Sequence, residues 1–358
     1  MSKAVVIGGT HHNTLSVIRS LGMKGIEVDV ILEDNHAKDS YVLASCYVKK
    51  SFVVPNGVEA AKLFREKYPD NQPVVVCTDD AAALLYKKYS CFMNKQVQVE
   101  LAKEVGFSVP KSEVLIVEEG SHVVPCYPCI VKPLESIHGG KRFAVCIDEQ
   151  ELKRVLLGYE TNDVVLIQQF IQREEEIVID GVSLNNDIVV PGYVVKHRDY
   201  MGGTTYSTTY SIKKLPVEIY ENTKKLITAI GYKGLFGIEL IVSKGKYYFV
   251  EINLRNDATS YAFAVAGMNL PYIWLLAQQG KDYKYESRGT IREINSIVEF
   301  RDINFMLKRK VGILRWCREL KNCECKYFYD KNDMVPYRMA RKNYISFVVE
   351  KIKRIMKK

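Results

Sequence analysis

Two short runs of β-branched and aromatic residues flank a Lys-Gly-Lys turn in the second half of the chain. The runs are residues 238–242 (IELIV) and 247–253 (YYFVEIN), and the turn covers residues 244–246. Residues of these types favour strands, and a glycine between two such runs favours a tight reversal of the chain. The pattern therefore predicts a β-hairpin.

Polar side chains interrupt this apolar hairpin. Because successive side chains of a strand point to opposite faces, Glu251 and Asn253 share one face, and the hairpin sets Glu239 near them. Three oxygen ligands suit Mg²⁺, which keeps several waters and binds carboxylates together with substrate phosphates. Arg255 follows on the same alternation, where it could meet an anion. Since acids are rarely buried without cause, we predict a metal–phosphate site; the alternative is a surface hairpin with solvated charges.

The N-terminal residues alternate between strand and helix patterns. An apolar run at residues 4–7 precedes a Gly-Gly-Thr-His-His-Asn turn, a helical spacing of apolar residues over 15–21, and a second apolar run at 26–32. This order predicts a doubly wound parallel α/β domain, although the turn lacks the GxGxxG spacing of dinucleotide-binding proteins. After the apolar run at 73–77, the sequence Thr-Asp-Asp either lines the substrate side of the sheet or caps the next helix.

A lysine on a short strand precedes a glycine loop. Residues 94–110 predict an amphipathic helix closed by glycine and proline. Residues 129–133 predict a strand whose one charge is Lys132, and the following loop, residues 134–142, contains Lys141. Backbone N–H groups of such a loop can cradle phosphate, and nearby lysines can neutralise it. The GxxxxGK[ST] order of a P-loop is not present, and a simple hairpin loop is the alternative.

Two further segments contribute polar residues. Residues 164–180 predict a strand, a hinge at residues 169–171, and a second strand that opens on three consecutive acids. A strand over residues 189–195 leads into a polar, glycine-rich segment, residues 196–205, which predicts a cationic strand end and a flexible loop. Such an end could hold a substrate carboxylate or an acyl phosphate, and Arg198 is the residue that we expect to bind it.

Taken in order, these features resemble the ATP-grasp superfamily over residues 1–280. That family carries a lysine before a helix, a strand lysine with a glycine-rich loop, an adenine-binding hinge, and an acid on one strand followed by Glu-x-Asn-x-Arg on the next. The last motif is Glu251-x-Asn253-x-Arg255 in this chain. The resemblance is to the carboxylate–amine ligase branch of carbamoyl-phosphate synthase and D-aspartate ligase, with C-terminal parts similar to members associated with surface polysaccharides.

The resemblance implies an α/β fold and a set of site residues. The fold would comprise a doubly wound parallel domain over residues 1–93, a two-lobed α+β ATP-grasp domain over 94–290 with its small lobe at about 110–180, and a basic C-terminal extension over 291–358. ATP and Mg²⁺, or Mn²⁺, are the implied cofactors. The implied residues are Lys95, Lys132, Lys141, Gln168, Gln169, Ile171 and Glu176 for the nucleotide, Glu239, Glu251 and Asn253 for the metal, and Arg255, Lys132 and Arg198 for catalysis. Gln168 stands where many members have glutamate.

The implied activity is ATP-dependent ligation of a small-molecule carboxylate to an amine through an acyl phosphate, with release of ADP and phosphate. One alternative is an enzyme that makes carbamoyl or carboxy phosphate; against it, Ala258 occupies the position of a second family arginine. The other alternative is a non-catalytic nucleotide-binding scaffold at the membrane.

The positive charge of the chain is confined to its C-terminal end. Residues 301–358 hold 17 Lys and Arg against 6 Asp and Glu, a net charge of +11, so the formal charge of +9 leaves −2 for residues 1–300. Residues 344–358 predict a basic amphipathic helix that either lies on the inner face of a membrane or docks on its own domain. Since no nucleic-acid-binding motif accompanies these charges, we expect no nucleic-acid partner; a homodimer stays open.

The chain has the pattern of a cytoplasmic protein. We expect no transmembrane helix, since no apolar run reaches about 18 residues, and no signal peptide, since the N-terminus enters a strand directly. Nine scattered cysteines with a single CxxC spacing predict reduced thiols and no zinc site.

Overall fold

Three β-sheets organise the described part of the molecule. The computed structural model describes residues 3–34, 40–117, 126–134, 143–200 and 203–356. A four-stranded parallel sheet is followed by a four-stranded antiparallel sheet and then by a seven-stranded sheet. Helices pack on all three sheets, so the predicted mixed α/β class is confirmed.

The N-terminal sheet has the strand order β3-β2-β1-β4. Its unit consists of β1 (Lys3–Gly9), α1 (His12–Gly22), β2 (Glu27–Glu33), β3 (Val48–Val54), α2 (Gly57–Lys67), β4 (Val74–Val76) and α3 (Asp79–Leu85). Side chains of β1 alternate between two cores: Ala4 and Val6 pack on the α1 side, whereas Val5 and Ile7 pack on the side of α2 and α3. Burial of both faces explains the uninterrupted apolar sequence of this strand.

A small antiparallel sheet with the order β5-β8-β6-β7 follows the helix α4. The elements are α4 (Lys95–Glu104), β5 (Ser112–Ile116), β6 (Cys129–Pro133), β7 (Ala144–Cys146), α5 (Glu149–Leu156) and β8 (Val164–Gln169). Leu152 and Leu156 of α5 pack against Val131 and Ile167 of the sheet. The backbone N–H of Lys95 donates to the carbonyl of Leu134 at 3.0 Å, which ties the start of α4 to the end of β6.

The large sheet has the order β13-β12-β9-β10-β11-β14-β15. The remaining elements are β9 (Glu175–Ser183), β10 (Ile188–Tyr200), β11 (Gly203–Ser211), α6 (Val217–Ile230), β12 (Gly234–Ser243), β13 (Lys246–Asn253), α7 (Ser260–Ala266), α8 (Leu270–Gln278), α9 (Lys284–Ser287), β14 (Ile294–Ile297), α10 (Glu299–Leu307), α11 (Ile313–Asn322), β15 (Cys325–Lys326) and α12 (Met334–Met356). One face packs on α4 and α6, and the other packs on α1, α7 and α8. Two short strands of the predicted C-terminal extension, β14 and β15, complete this sheet at its edge.

The polar segment after residue 196 forms strands. β10 continues to Tyr200, and β11 pairs with both β10 and β14. Three hydroxyl side chains of β11 are buried, and Ser207 shares a 2.7 Å hydrogen bond with Ser296 on β14. The predicted cationic strand end is the end of β10, whereas the prediction of a flexible loop is wrong for residues 203–205, because cross-strand hydrogen bonds let the hydroxyl residues of β11 enter the sheet interior. Residues 201–202 lie outside the described residues.

A buried ion pair joins the N-terminal unit to the C-terminal end. Arg19 on α1 and Asp333 lie 2.9 Å apart, and both side chains are fully buried. Arg19 also donates to backbone carbonyls in residues 327–328 and at Asp333, while Asp333 accepts from the Ser45 hydroxyl and the Cys46 N–H. Such a pair is favourable only when further hydrogen bonds satisfy both charges, and here they do.

Helix α12 docks on the molecule through its first half. The ring of Phe300 on α10 lies 5.5 Å from that of Tyr337 and 5.8 Å from that of Tyr344. Farther along, Ile345 and Phe347 are 50% and 62% exposed. The docked alternative therefore holds up to Tyr344, and the membrane contact of the remaining helix stays a prediction.

Within the described ranges, no single helix is long and apolar enough to cross a membrane. Helices α7 and α8 reach that length and hydropathy only when taken together, and they meet at a bend of 95°. All nine cysteines are free thiols.

Candidate functional site

Strands β12 and β13 form the predicted hairpin. The two turn residues, Lys244 and Gly245, have φ values of 50° and 72°. Positive φ at both central positions is the type I′ geometry, whose twist matches that of two-residue hairpins, and glycine adopts it at no steric cost. Beside the turn, Ser243 pairs with Lys246, and a register shift between Glu239 and Leu240 then sets Glu239 directly opposite Glu251. This irregularity at Val250 decides the face on which Glu239 lies, because the register of the turn alone would pair Glu239 with Val250.

The three predicted metal ligands lie on one face of this hairpin. Glu239 pairs with Glu251, and Asn253, two residues farther on, pairs with Gly237. Paired residues share a face, so two carboxylates and one amide are neighbours. Within the described ranges, no group of three or more His, Cys, Asp or Glu side chains is arranged to hold a metal. The donor set nevertheless fits Mg²⁺, which takes one or two carboxylates and completes its shell with water and phosphate.

Lys196 bridges two acids on the same sheet face. Its Nζ lies 2.6 Å from Glu176 on β9 and 2.9 Å from Glu239 on β12. Glu176 also accepts a 2.6 Å hydrogen bond from Arg173 in the hinge before β9. Lys196 therefore holds the predicted ribose-binding acid and a predicted metal ligand together.

The acids of this face share a buried environment. Burial raises the pKa of Glu239 to about 7; Glu251 and Glu176 add to the increase, and Lys196 opposes it. Burial disfavours the charge of Lys196, but Glu239 and Glu176 outweigh this and raise its pKa above the ordinary lysine value. The hairpin thus concentrates negative charge away from water, and this is the environment in which a cation is bound.

Lys132 approaches the same cluster from the small sheet. Its Nζ donates to Oε1 of Gln168 on β8 at 3.1 Å, and the amide of Gln168 donates to Ser112 at 2.9 Å. Burial lowers the pKa of Lys132 to about 8, and Lys95 adds to the decrease while Glu251 and Glu239 oppose it. A partly buried lysine that is hydrogen-bonded to a neutral amide fits the role of phosphate ligand.

The predicted adenine hinge connects β8 to β9 at the junction of the small and large sheets. The backbone N–H of Gln169 donates to the carbonyl of Lys111 at 2.8 Å, and that of Phe170 donates to the carbonyl of Pro128 at 3.0 Å. Ile171 is half-buried, and the residues after it are exposed up to Glu175. The hinge therefore joins β8, which pairs with the strand of Lys132, to β9, which carries Glu176.

Arg255 connects the metal-ligand face to the N-terminal sheet. Its guanidinium contacts Asp79, which follows β4, with bonds of 2.6 and 3.1 Å, and donates to Oδ1 of Asn253 at 3.2 Å. Burial disfavours its charge, but Asp79 and then Asp257 raise the pKa of Arg255 above its ordinary value. Of the two interpretations of the Thr-Asp-Asp sequence, the structure favours the site side, because Thr78 makes no side-chain cap bond.

The structure does not bring Arg198 into this cluster. Two bonds of 2.9 and 2.8 Å join its guanidinium to Asp302 on α10, and a third of 2.7 Å joins it to Glu319 on α11. The ring of Tyr206 covers it at 4.1 Å. With every face of the guanidinium engaged, the predicted contact with a substrate anion is not supported, and the observed role is to fasten two C-terminal helices to the sheet.

Replacement of Arg198 by methionine is therefore expected to destabilise the protein by about 3–5 kcal/mol, because Asp302 would be left buried without its partner. The Michaelis constants for substrates should not change. Urea denaturation measures the first effect and steady-state kinetics the second. Arg315, which contacts the same Glu319 but is exposed, provides the matched control, and its replacement should cost no more than about 1 kcal/mol.

Two contributions to the site were missed by sequence reasoning, and one prediction falls outside the structure. Lys196 lies in the predicted cationic strand end, where only Arg198 was assigned a role, although Lys196 points to the same face as the buried Val194 on β10. Asp79 could not be assigned to Arg255, because 176 residues separate them. Lys141 and the glycine loop around it lie outside the described residues.

Residues 93–259 match a family model described as ATP-grasp domain. The carbamoyl phosphate synthase large chain of Clostridium beijerinckii is 30% identical over 182 residues, which cover 47% of this chain and 17% of that protein. The chain thus spans about a sixth of that relative's length.

Solved structures share the fold over most of the chain. The L-amino acid ligase from Bacillus licheniformis superposes with a TM-score of 0.62 at 16% identity and covers 82% of this chain and 79% of its own. The N5-carboxyaminoimidazole synthetase from Staphylococcus aureus superposes with a TM-score of 0.64 at 14% identity and covers 86% of this chain and 85% of its own. Because the sequence identities are so low, these superpositions show a common fold alone.

Proposed function

Residues 93–259 of this chain form an ATP-grasp domain, and on this premise we propose that the protein is an ATP-dependent carboxylate–amine ligase. A carboxylate oxygen of one substrate attacks the γ-phosphorus of ATP, and ADP leaves with the electron pair of the broken P–O bond. An amine then attacks the carbonyl carbon of the acyl phosphate. The C–O bond to phosphate breaks, the amide forms, and the amine loses a proton as inorganic phosphate departs.

The observation that carries this proposal is the position of Lys132. It is a partly buried cation of the small sheet, and the paired carboxylates Glu239 and Glu251 of the large sheet act on its charge. The negative charge of a polyphosphate would pair with Lys132, and the divalent cation bound to that polyphosphate would pair with Glu239 and Glu251. Phosphoryl transfer requires little covalent chemistry from the protein, so positioning and charge neutralisation carry the catalysis.

Glu239, Glu251 and Asn253 are the residues that would hold Mg²⁺. When bound, this ion neutralises phosphate oxygens as a Lewis acid. Arg255 orients the amide of Asn253 through their 3.2 Å hydrogen bond and places a positive charge beside the metal ligands. Lys196 keeps Glu239 and Glu176 at fixed positions.

The nucleotide base and ribose are assigned to the hinge side of the cleft. Gln168, Gln169 and Ile171 would border adenine, and Glu176 would accept hydrogen bonds from ribose hydroxyls. Lys95, buried at the start of α4, would add positive charge near the phosphates, since its charge already acts on Lys132.

A substrate matrix tests the proposal. ADP and phosphate release from Mg-ATP would be measured with every pairing of a set of carboxylic acids with a set of amines and amino acids. Release that requires one acid–amine pair is the expected result. No release with any pair, although ATP binds, would contradict ligase activity and favour a nucleotide-binding scaffold.

The similarity to a carbamoyl phosphate synthase large chain favours one second candidate, formation of carboxy phosphate or carbamoyl phosphate. The same assay distinguishes this candidate from the carboxylate–amine ligase. Bicarbonate would then stimulate ADP release without any organic acid.

Nucleotide binding is expected to take up a proton through Lys132. Its pKa of about 8 leaves it largely neutral at pH 8.5, and the phosphates of Mg-ADP would raise that pKa. The affinity for Mg-ADP should therefore fall as the pH rises through about 8. Calorimetry at pH 8.5 in two buffers of different ionisation heat measures the uptake; Glu239, with a pKa of about 7, is already deprotonated there.

Lys132→Met should abolish this proton uptake and weaken binding, whereas the exposed Lys103→Met on α4 should change neither. Equal uptake by the wild type and Lys132→Met would show that Lys132 does not contact the phosphates.

A further inference from the structure

Helix α10 directs a guanidinium at the turn that follows β1. Nη1 of Arg301 lies 3.2 Å from Nε2 of His11, and Nη2 donates to the carbonyl of Tyr200 at 2.8 Å. His11 precedes α1, and Tyr200 is the last residue of β10. Arg301 therefore lies where the edge of the N-terminal sheet, the large sheet and α10 meet.

Arg301 differs from the other arginines of the interior in its electrostatic partners. Arg19, Arg198 and Arg255 contact carboxylates at 2.9, 2.8 and 2.6 Å. Arg301 is partly buried, and among the described residues no acid forms an ion pair with it. A guanidinium removed from water without a countercharge is costly, and an anionic ligand would supply that countercharge.

The described side chains around Arg301 do not supply the missing negative charge. Burial, together with His11 and Arg301, lowers the pKa of His12 well below its ordinary value, so His12 is neutral. Burial raises the pKa of Tyr41, and Arg301 opposes this shift while Asp34 adds to it. Arg301 and Asp34 therefore both lie near enough to Tyr41 to shift its pKa, but they do not form an ion pair with each other.

A glycine at the start of β11 makes room for the guanidinium. A Cβ at Gly203 would lie 2.9 Å from Nη2 of Arg301 and 3.0 Å from Nη1. Any larger residue would displace these nitrogens, since real Cβ atoms do not approach so closely. The position of Arg301 is therefore set by the sheet as well as by its own helix.

The turn that Arg301 contacts is joined to the metal-ligand segment. The amide of Asn256 donates to Oδ1 of Asn13 at 2.6 Å, and the amide of Asn13 donates to the carbonyl of Asn256 at 3.1 Å. Asn256 follows Arg255, which contacts Asn253. His11, just before α1, therefore contacts Arg301, and Asn13, in the first turn of α1, contacts the residue that follows Arg255.

We propose that Arg301 binds a carboxylate group of a substrate of this enzyme. This inference rests on the proposed function, because it takes the bound carboxylate to belong to a reactant of the ligase. A carboxylate can come from either reactant, the acid that is phosphorylated or an amino acid that supplies its amine. Arg301 thereby takes the role that the sequence suggested for Arg198, which Asp302 and Glu319 occupy.

Direct binding tests the proposal without turnover. The full chain, free of nucleotide, would be titrated with acetate, malonate, succinate, glutarate and the proteinogenic amino acids against a sodium chloride blank, first by thermal shift and then by calorimetry. We expect at least one compound to bind saturably. Arg301→Gln should weaken that binding by about 10- to 100-fold, because a charge-assisted, two-pronged contact is lost.

Two further variants keep the result interpretable. Arg301→Lys keeps the charge but loses the planar fork, so it should retain part of the affinity even if Arg301→Gln folds poorly. Arg288→Gln removes an exposed arginine and should bind as the wild type does. Binding of simple acids would point to the acid reactant, and binding restricted to amino acids would point to the amine reactant.

The failure of this proposal is distinct from failure of the proposed function. Saturation by no carboxylate, or equal binding by the wild type and Arg301→Gln, would overturn the role of Arg301. Binding that depends on Arg301 without any ADP release would leave the anion site and remove the ligase. Ligase turnover with both substrate Michaelis constants unchanged in Arg301→Gln would leave the ligase and remove the site.

Discussion

Replacement of Glu251 by glutamine is expected to abolish ATP turnover while the fold stays intact. Glu251 stands opposite Glu239 on the hairpin, and glutamine keeps its shape but cannot supply negative charge to a divalent cation. Loss of one transition-state-stabilising group costs about 10²- to 10³-fold in kcat in other enzymes. We expect at least this loss, measured as ADP release in a coupled assay with the pair of substrates found in the matrix.

Glu175→Gln provides the control, because it makes the same chemical change at an exposed glutamate at the start of β9. It should keep wild-type turnover, and both variants should unfold near the wild-type temperature. Normal turnover by Glu251→Gln would show that Glu251 is not a metal ligand, and the assignment of Glu239 and Asn253 would fail with it.

Replacement of Arg19 by alanine is expected to cause a loss of stability as large as that expected for Arg198→Met. The change would leave Asp333 fully buried without its partner and would orphan backbone carbonyls in residues 327–328. Removing one partner of a buried ion pair costs about 3–5 kcal/mol. Urea denaturation measures this loss, and Asp333→Ala should produce one of similar size.

Lys24, which lies just beyond the end of α1, provides the matched comparison. It pairs with Glu286 at 2.8 Å, but both of these side chains are partly exposed. Its replacement by alanine should cost at most about 1 kcal/mol. Similar losses for Arg19→Ala and Lys24→Ala would show that the C-terminal end is not fastened through Asp333.

Local features of the chain were predictable because their physics is local. The glycine turn at residues 244–246 predicts the hairpin, and period-two alternation places Glu251 and Asn253 on one face. Glu239 lies opposite Glu251 through a register shift beside Leu240, which neither of these local rules predicts. The parallel strands of the N-terminal sheet were equally visible, because burial of both faces leaves uninterrupted apolar runs.

Contacts between distant segments were not predictable. Arg198 lies on a strand end that suits an anion site, but Asp302, 104 residues later, occupies its guanidinium. The polar sequence of β11 indicated a loop because its hydroxyl groups are satisfied only by partners on other strands, such as Ser296. The net charge of the C-terminal segment gave no sign that β14 and β15 pair with the large sheet, because that pairing also joins distant residues.

The central claim is that a carboxylate oxygen attacks ATP, and isotope transfer tests it most directly. The acid substrate would be labelled with ¹⁸O in its carboxylate and incubated with Mg-ATP, the amine and the enzyme, and the released phosphate would be examined by ³¹P NMR. Phosphate that carries one ¹⁸O from the acid is the predicted result, because the oxygen that attacks phosphorus leaves with it. Phosphate without label would show that water attacks ATP and would contradict the acyl-phosphate ligase.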